Sequence, residues 1–335
     1  MAQMQIEPTA VRDGTQPRSA KRRDRRTAWQ VLKANSGFLF ILPAVLIFLI
    51  FGLYTVIYSI VLSFFQWNGF SGFSILPPSC TPPACQFVGL ENYAEFLYKD
   101  PTVSSQFWQA LQNNIIMAIV VTLGTIVVAL PIAIALNRAL WGQSLYRMVI
   151  MLPMVVQGIA IYYVWTFIYN SDGLLNAVLK AIGLGWLQAQ NGWLSDPGRA
   201  LPSLIVVMIW GAVPLATLLY LTGLQSIGQE LFEAATIDGA NAFQVLWSII
   251  WPRLKPTTVI IIILSINSVL QSYEQVYLMT NGGPAGHTSV VGLQIFNFGF
   301  GAQRELGTAS AMSWILFVGV FIVALINLRV FRSDD

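Results

Sequence analysis

Chemistry in this chain has to be sought among few polar side chains. There is one histidine, His287, and there are two cysteines, Cys80 and Cys85. That is too few soft donors for a Cys/His metal cluster or a Cys–His nucleophile pair, so neither a metal site nor a catalytic residue is expected. The richest polar stretch is Ser265, Asn267, Ser268, Gln271, Ser272 and Glu274. The serines fall at i, i+3 and i+7, and Asn267, Gln271 and Glu274 at i, i+4 and i+7. In a helix the two rows lie side by side on one face. Hydroxyls and carboxamides both donate and accept, which suits a polyhydroxylated ligand. The same groups could instead serve only to join helices. His287 follows a Gly282-Gly283-Pro284 turn and reads as a loop histidine.

The elements that hold these residues follow from composition. Of 335 residues 10% are charged and 56% hydrophobic, against about 25% charged in an ordinary soluble domain. A chain this poor in charge cannot coat a globule with a polar surface, nor stay disordered. It reads as an all-α integral membrane protein. Six stretches reach the roughly 20 apolar residues that a membrane helix needs. They are predicted at about 38–63, 115–136, 148–168, 204–224, 257–279 and 308–330. No alternating segments of barrel type are present. The first stretch is too long for a signal-peptide core.

The distribution of Lys and Arg orients the spans. Arg12, Arg18, Lys21, Arg22, Arg23, Arg25, Arg26 and Lys33 crowd the N-terminal tail, residues 1–33. Arg138, Arg147, Arg253, Lys255, Arg329 and Arg332 lie on the same side. The other side holds Lys99, Lys180, Arg199 and Arg304. Both termini are therefore expected in the cytoplasm. The basic tail reads as a topology signal in contact with lipid headgroups, and no nucleic-acid partner is expected. In the first outer loop the spacing of Cys80 and Cys85 allows either a disulfide-closed loop or two free thiols. The segment Leu174–Leu187 puts Leu174, Val178, Leu179 and Ile182 on one face, with Trp186 and Trp193 nearby, which suits the membrane interface.

The loop from Gln225 to Pro256 has its own punctuation. Ser226 with Gln229 has capping-box spacing, which predicts a helix start near Ile227. Gly239 suits the left-handed position that ends that helix. Asn241 with Gln244 predicts a second start, and Pro252 and Pro256 predict a stop near Trp251. Leu231, Phe232, Ile237, Phe243 and Leu246 are costly to leave in water, so either the chain's own spans or a partner must cover them.

Here the sequence resembles a known family. The run Glu233-Ala234-Ala235-Thr236-Ile237-Asp238-Gly239-Ala240, with Pro252 following at a distance, resembles the EAA loop of binding-protein-dependent ABC importer permeases, in the form of their carbohydrate branch. Phe87–Tyr93, Leu152-Pro153 with Trp165, Gly173 and Asn176, and Tyr273–Pro284 resemble further segments of the family. The last has the form of the maltose-type first permease subunit. The resemblance covers roughly residues 38–330. Trp251 departs from it, at a position where a smaller apolar residue is usual.

The resemblance implies a type I importer permease fold with six spans (34–335) and a coupling loop (225–256). It implies that Glu233, Ala234, Ala235, Asp238 and Gly239 engage a separate cytoplasmic ATPase dimer. It also implies a second permease subunit, an extracytoplasmic sugar-binding protein, and import by alternating access of a sugar, whether a mono- or oligosaccharide, with glycerol phosphate left open as a cargo. The chain carries no Gly-Lys-Ser/Thr phosphate loop, so ATP and Mg belong to the partner ATPase, with no cofactor and no enzyme site in this chain. Tyr162, Tyr163, Trp165, Trp210 and Tyr220 are available to stack on sugar rings. A stand-alone ion-coupled transporter would call for intramembrane acids in several spans, and only Glu274 qualifies. A membrane enzyme would call for clustered acid–base groups, and none is visible.

Overall fold

A computed structural model describes residues 36–70, 72–75, 78–80, 82, 85–137, 142–156, 158–302 and 304–330. The basic tail 1–33, Arg138 and Arg332 lie outside the described residues. The chain divides into two compact units, one ending at Val56 and one beginning at Ile57. The first unit contains most of helix α1 (Ile41–Leu62), an apolar helix with a wide π turn at Phe48–Leu53.

Elsewhere, five long apolar segments appear where the hydropathy placed them. They are α3 (Pro101–Asn137), α4 with α5 (Gln143–Val155 and Ile159–Ile168), α7 (Ala200–Gln225), α9 (Ala242–Leu270) and α12 (Leu306–Val330). Between α1 and α3 stand two antiparallel strand pairs and α2. Strand β1 (Phe65–Trp67) pairs with β4 (Cys85–Phe87), and β2 (Phe73–Ile75) pairs with β3 (Pro78–Cys80). α2 is Glu91–Ala94, extended by a π turn over Glu95–Lys99. Short helices α6 (Leu174–Ala181), α8 (Gln229–Ile237), α10 (Tyr273–Met279) and α11 (Val291–Phe300) complete the order.

Three expectations about helix limits are corrected. The second span begins at Pro101 rather than near Ile115, because Asp100 Oδ1 accepts from the backbone N–H of Thr102 and Val103 at 2.8 and 3.2 Å and caps a polar first section. The third span, expected to be continuous, breaks after Val155 and bends by 105°. Pro153 lies in the last turn before the break, and Gly158 takes a φ of +107° that L side chains avoid. The fifth span starts at Ala242 and ends at Leu270, so Pro252 and Pro256 do not stop it. A π turn at Leu246–Ile250 precedes Pro252, with the Trp251 N–H donating to the Leu246 carbonyl. The wider turn makes room for the ring, and Pro252 sits in the first turn of the regular helix that follows.

α3 is the spine. Its start packs with α11 and α12 through Phe107, Ala110, Phe298 and Met312. Its middle meets the start of α7 through Met117, Val121, Leu204 and Met208. Its end meets the end of α7 and the start of α9 through Ala129, Ala133, Tyr220 and Leu254. α3 and α7 therefore run parallel, and α9 returns antiparallel. Where lipid is as apolar as leucine, close packing and hydrogen bonds hold helices together. A Cβ at Gly124 would collide with Ile209, and one at Gly223 would come within 2.7 Å of Leu254 Cδ2. Hydrogen bonds tie the layers: Tyr220 to Thr258 at 3.1 Å, Asn113 Nδ2 to the Ser289 carbonyl at 2.8 Å, and the Val291 N–H to Asn114 Oδ1 at 2.9 Å.

The segment between α5 and α7 is held by Asn176. It donates to the carbonyls of Ser171 and Ala189 and accepts from the Ala189 N–H and Trp193 Nε1. The face of α6 carrying Leu174 and Val178, continued by Ile182, is exposed, in keeping with an interfacial helix. Around α2, burial raises the Glu95 carboxyl above the ordinary glutamate range, with Glu305 and Asp100 adding like-charge repulsion. The folded protein thus holds this proton more tightly than the unfolded chain does, and loses stability as pH rises through the carboxylate range. Glu95→Gln is expected to raise the thermal midpoint near pH 7 and to change it little near pH 4, where the native carboxyl is already protonated. Melting curves of the detergent-solubilised protein at both pH values check this.

Candidate functional site

Both helix breaks open on one cavity of about 450 Å³, within the range of about 300–1,000 Å³ usual for small-molecule sites. Val156 and Gly158 line it at the α4–α5 break, and Ser268, Glu274 and Gln275 flank the α9–α10 break. α3 contributes Val121 and Thr125, and α7 contributes a long face from Val207 to Leu219 that includes Trp210 and Gly211. The second break has a local cause. Ser272 Oγ donates to the Val269 carbonyl at 2.6 Å, and Gln271 Nε2 donates to Asn267 Oδ1 at 2.8 Å. The Ser272 hydroxyl takes up a backbone carbonyl at the break, whereas the Gln271–Asn267 pair lies along the helix surface and supports the last turn before it.

This break divides the polar stripe that the sequence placed on one face. Ser265, Ser268 and Glu274 line the cavity. Asn267 and Gln271 pair with each other on an exposed face outside it, and Ser272 is buried against its own helix. The single broad face is thus corrected to two: Asn267 and Gln271 pair one turn apart on the other side of α9, and Glu274 reaches the cavity from α10 beyond the break. The aromatic set divides as well. Tyr162 and Trp210 line the cavity, and Trp165 packs edge-on against Trp210 with ring centroids 5.5 Å apart. Tyr163 is exposed elsewhere, and Tyr220 is buried against Thr258.

Two cavity groups escaped the sequence reading. Thr125 is 1% exposed, and its Oγ1 has no hydrogen-bond partner among the described residues. Gln275, whose Oε1 is also buried, places its side chain at the Tyr162 hydroxyl. An unpaired buried polar group is costly, about 1–3 kcal/mol, and a ligand hydroxyl or water would relieve it. Gln275, next to Glu274 inside an apolar stretch, was a signal that could have been followed. Thr125 gave none, since a helical threonine ordinarily satisfies itself on the preceding turn.

The loop after α7 is built as two helices. Ser226 donates to the Gly223 carbonyl rather than capping a helix, so the expected capping box there is corrected: α8 begins at Gln229 with Gly228 as its cap residue. Gly239 has φ +70°, and the Asn241–Gln244 capping box is present in both directions. Leu231, Phe232 and Leu246 pack onto the core formed by α3, α7 and α9. Ile237 is 86% exposed and Phe243 68%. Glu233, Ala234, Asp238 and Gly239 share the exposed side, while Ala235 is buried. Phe243, Trp247 and Trp251 form a ladder with centroids 6.0 and 5.7 Å apart. In the other loop, a disulfide joins Cys80 to Cys85, whose Cα atoms are 5.3 Å apart, and so links β3 to β4.

A helical bundle with two broken helices around a cavity of mixed polar and apolar lining defines a multi-pass membrane transport component. Residues 132–335 match the model of the family described as binding-protein-dependent transport system inner membrane component. The chain belongs to that family, the permease subunits of ABC importers. It is 32% identical over 300 residues to the probable ABC transporter permease protein YurN of Bacillus subtilis, covering 88% of this chain and 96% of that one. It is 33% identical over 306 residues to the trehalose/maltose transport system permease protein MalF of Thermococcus litoralis, covering 90% and 96%. Among solved structures, a chain of a bacterial alginate ABC transporter in complex with an alginate-bound periplasmic protein superposes with a TM-score of 0.69 at 22% identity, covering 92% and 98%. The fold is shared at that level.

The cavity geometry can be checked with thiols, because the two native cysteines are already joined. Ser268→Cys is expected to react with a small water-soluble methanethiosulfonate in native membranes. Ser272→Cys, buried on its own helix, is expected to react at least tenfold more slowly. Equal rates would place the cavity elsewhere.

Proposed function

We propose that this chain is the first permease subunit of an ATP-driven importer that carries a saccharide into the cytoplasm by alternating access. The observation that carries the reading is the cavity at the two helix breaks. Its polar lining, with Thr125, Tyr162, Ser265, Ser268 and Gln275, suits a ligand rich in hydroxyls, and Trp210 and Tyr162 offer ring faces. The sugar-transport names among its relatives support the same cargo class.

In this reading the spans cross the cell membrane with both termini in the cytoplasm. A second permease completes the pathway, and an extracytoplasmic sugar-binding protein delivers the cargo. ATP and Mg are bound by a separate ATPase dimer. The exposed side of α8, with Glu233, Ala234, Asp238 and Gly239, and the uncovered Ile237 and Phe243, docks into that ATPase. Buried Ala235 keeps α8 close to its own bundle. Closure of the ATPase on ATP moves α8, and because Leu231 and Phe232 root it in the core, the motion reaches α3, α7 and α9.

Affinity purification of the tagged chain from native membranes in mild detergent, followed by mass spectrometry, is expected to recover a second permease and an ATPase. Recovery of this chain alone, from a preparation that still transports, would overturn the reading. Glu233→Ala and Gly239→Pro are expected to lower uptake of labelled sugar in proteoliposomes at least tenfold while membrane insertion is unchanged. Normal uptake by both variants would remove the coupling role from α8.

A further inference from the structure

Among the described residues, Glu274 is the one acidic residue lining the cavity, and no lysine, arginine or histidine of theirs lines it. It is exposed to the cavity, and no hydrogen bond or ion pair engages it among the described residues. The ion pairs that the structure contains, Lys99 with Glu91 and Arg199 with Asp196, lie elsewhere. The remaining polar lining is neutral: Thr125, Tyr162, Ser265, Ser268 and Gln275. Val121, Met208, Leu215 and Leu264 supply apolar walls. A charge facing such walls acts over a longer range than it would in open water.

We infer that Glu274 makes this cavity a charge filter, which admits neutral and cationic saccharides and rejects those bearing carboxylate, sulfate or phosphate groups. The inference rests on the proposed role of the cavity as the cargo site and names the cargo class more narrowly. Position carries it. Glu274 lines the cavity beside Tyr162 and Gln275, so an anion held against those side chains lies within about one physiological Debye length, roughly 8 Å, of its carboxylate. A neutral sugar meets no such repulsion. Its hydroxyls donate to the carboxylate in charge-assisted hydrogen bonds, which are stronger than neutral ones. An amino sugar adds an ammonium that pairs with it. Glycerol phosphate, which the sequence resemblance leaves open, falls on the rejected side.

The test uses the affinity-purified complex of this chain with its partners in lipid nanodiscs, without the binding protein, so that delivery does not mask the selectivity of the cavity. Maltotriose, trigalacturonate and the glucosamine trimer serve as neutral, anionic and cationic probes. Dissociation constants are read by saturation-transfer NMR. The native complex is expected to bind maltotriose and the glucosamine trimer at least tenfold more tightly than trigalacturonate. Glu274→Gln is expected to bring the three within about threefold of one another, Glu274→Lys to reverse the order, and Glu274→Asp to keep the native order. An unchanged preference in Glu274→Gln, or native binding of trigalacturonate as tight as that of maltotriose, overturns the filter while leaving the saccharide reading in place. If Glu274→Gln instead loses the second permease during purification, Glu274 is an assembly contact with a base on that subunit, and the filter is again overturned. If none of the three probes binds the native complex, the saccharide reading of the cavity fails, and the filter fails with it.

Discussion

In a bilayer, every backbone N–H and C=O has to find a partner within the protein or at a water-filled surface. That constraint governs this molecule. It forces the long segments into helices, and it restricts a helix interruption to a place sheltered by protein or filled with water. The chain interrupts two of its apolar segments, at Val156–Gly158 and at Gln271–Ser272, and both interruptions border the same cavity. The cavity is therefore where the broken backbone can be tolerated, and it is also where polar side chains can be presented at membrane depth.

The rest of the bundle keeps those two breaks opposite each other. α3 passes through all three packed layers and lies alongside α7 at Gly124, where the absent Cβ leaves space for the Ile209 side chain. α7 presents a continuous wall to the cavity because its partners on the other side are fixed by Tyr220, Leu224 and Gly223 against α9. Toward the β hairpins, Asn113 and Asn114 bind the backbone around Ser289 and Val291, which fixes the segment following α10. Asn176 does the same for the segment following α5. Each broken span is thus anchored on its far side by a buried asparagine, the residue type that can satisfy several backbone groups at once.

The loop after α7 obeys a related balance between covered and uncovered apolar surface. Leu231, Phe232, Val245 and Leu246 are taken up by the core, which roots α8 and the first turns of α9 in the bundle. Ile237 and Phe243 are left in solvent on either side of Gly239. A loop meant only to connect two spans has no reason to keep such residues there. In the proposed function, α8, rooted on one side and apolar on the other, passes a push from a soluble partner into the membrane helices.

The sequence by itself determined the class. Low charge and long apolar stretches left only membrane helices, because nothing else satisfies the backbone in lipid. The motif around Glu233 to Gly239 pointed to the family, and the Asn241–Gln244 capping box and the left-handed Gly239 were readable because both are local. Tertiary structure decided the rest. Periodicity put Ser265 to Glu274 on one face by assuming an unbroken helix, and the helix ends at Leu270 instead. Pro252 and Pro256 read as stops, yet a π turn upstream gives the ring space. Thr125 and Gln275 became site residues only once α3 and α10 were brought to the same cavity. Local rules fix caps and turns. The group a polar side chain faces depends on helices distant in sequence, and only the packed bundle specifies it.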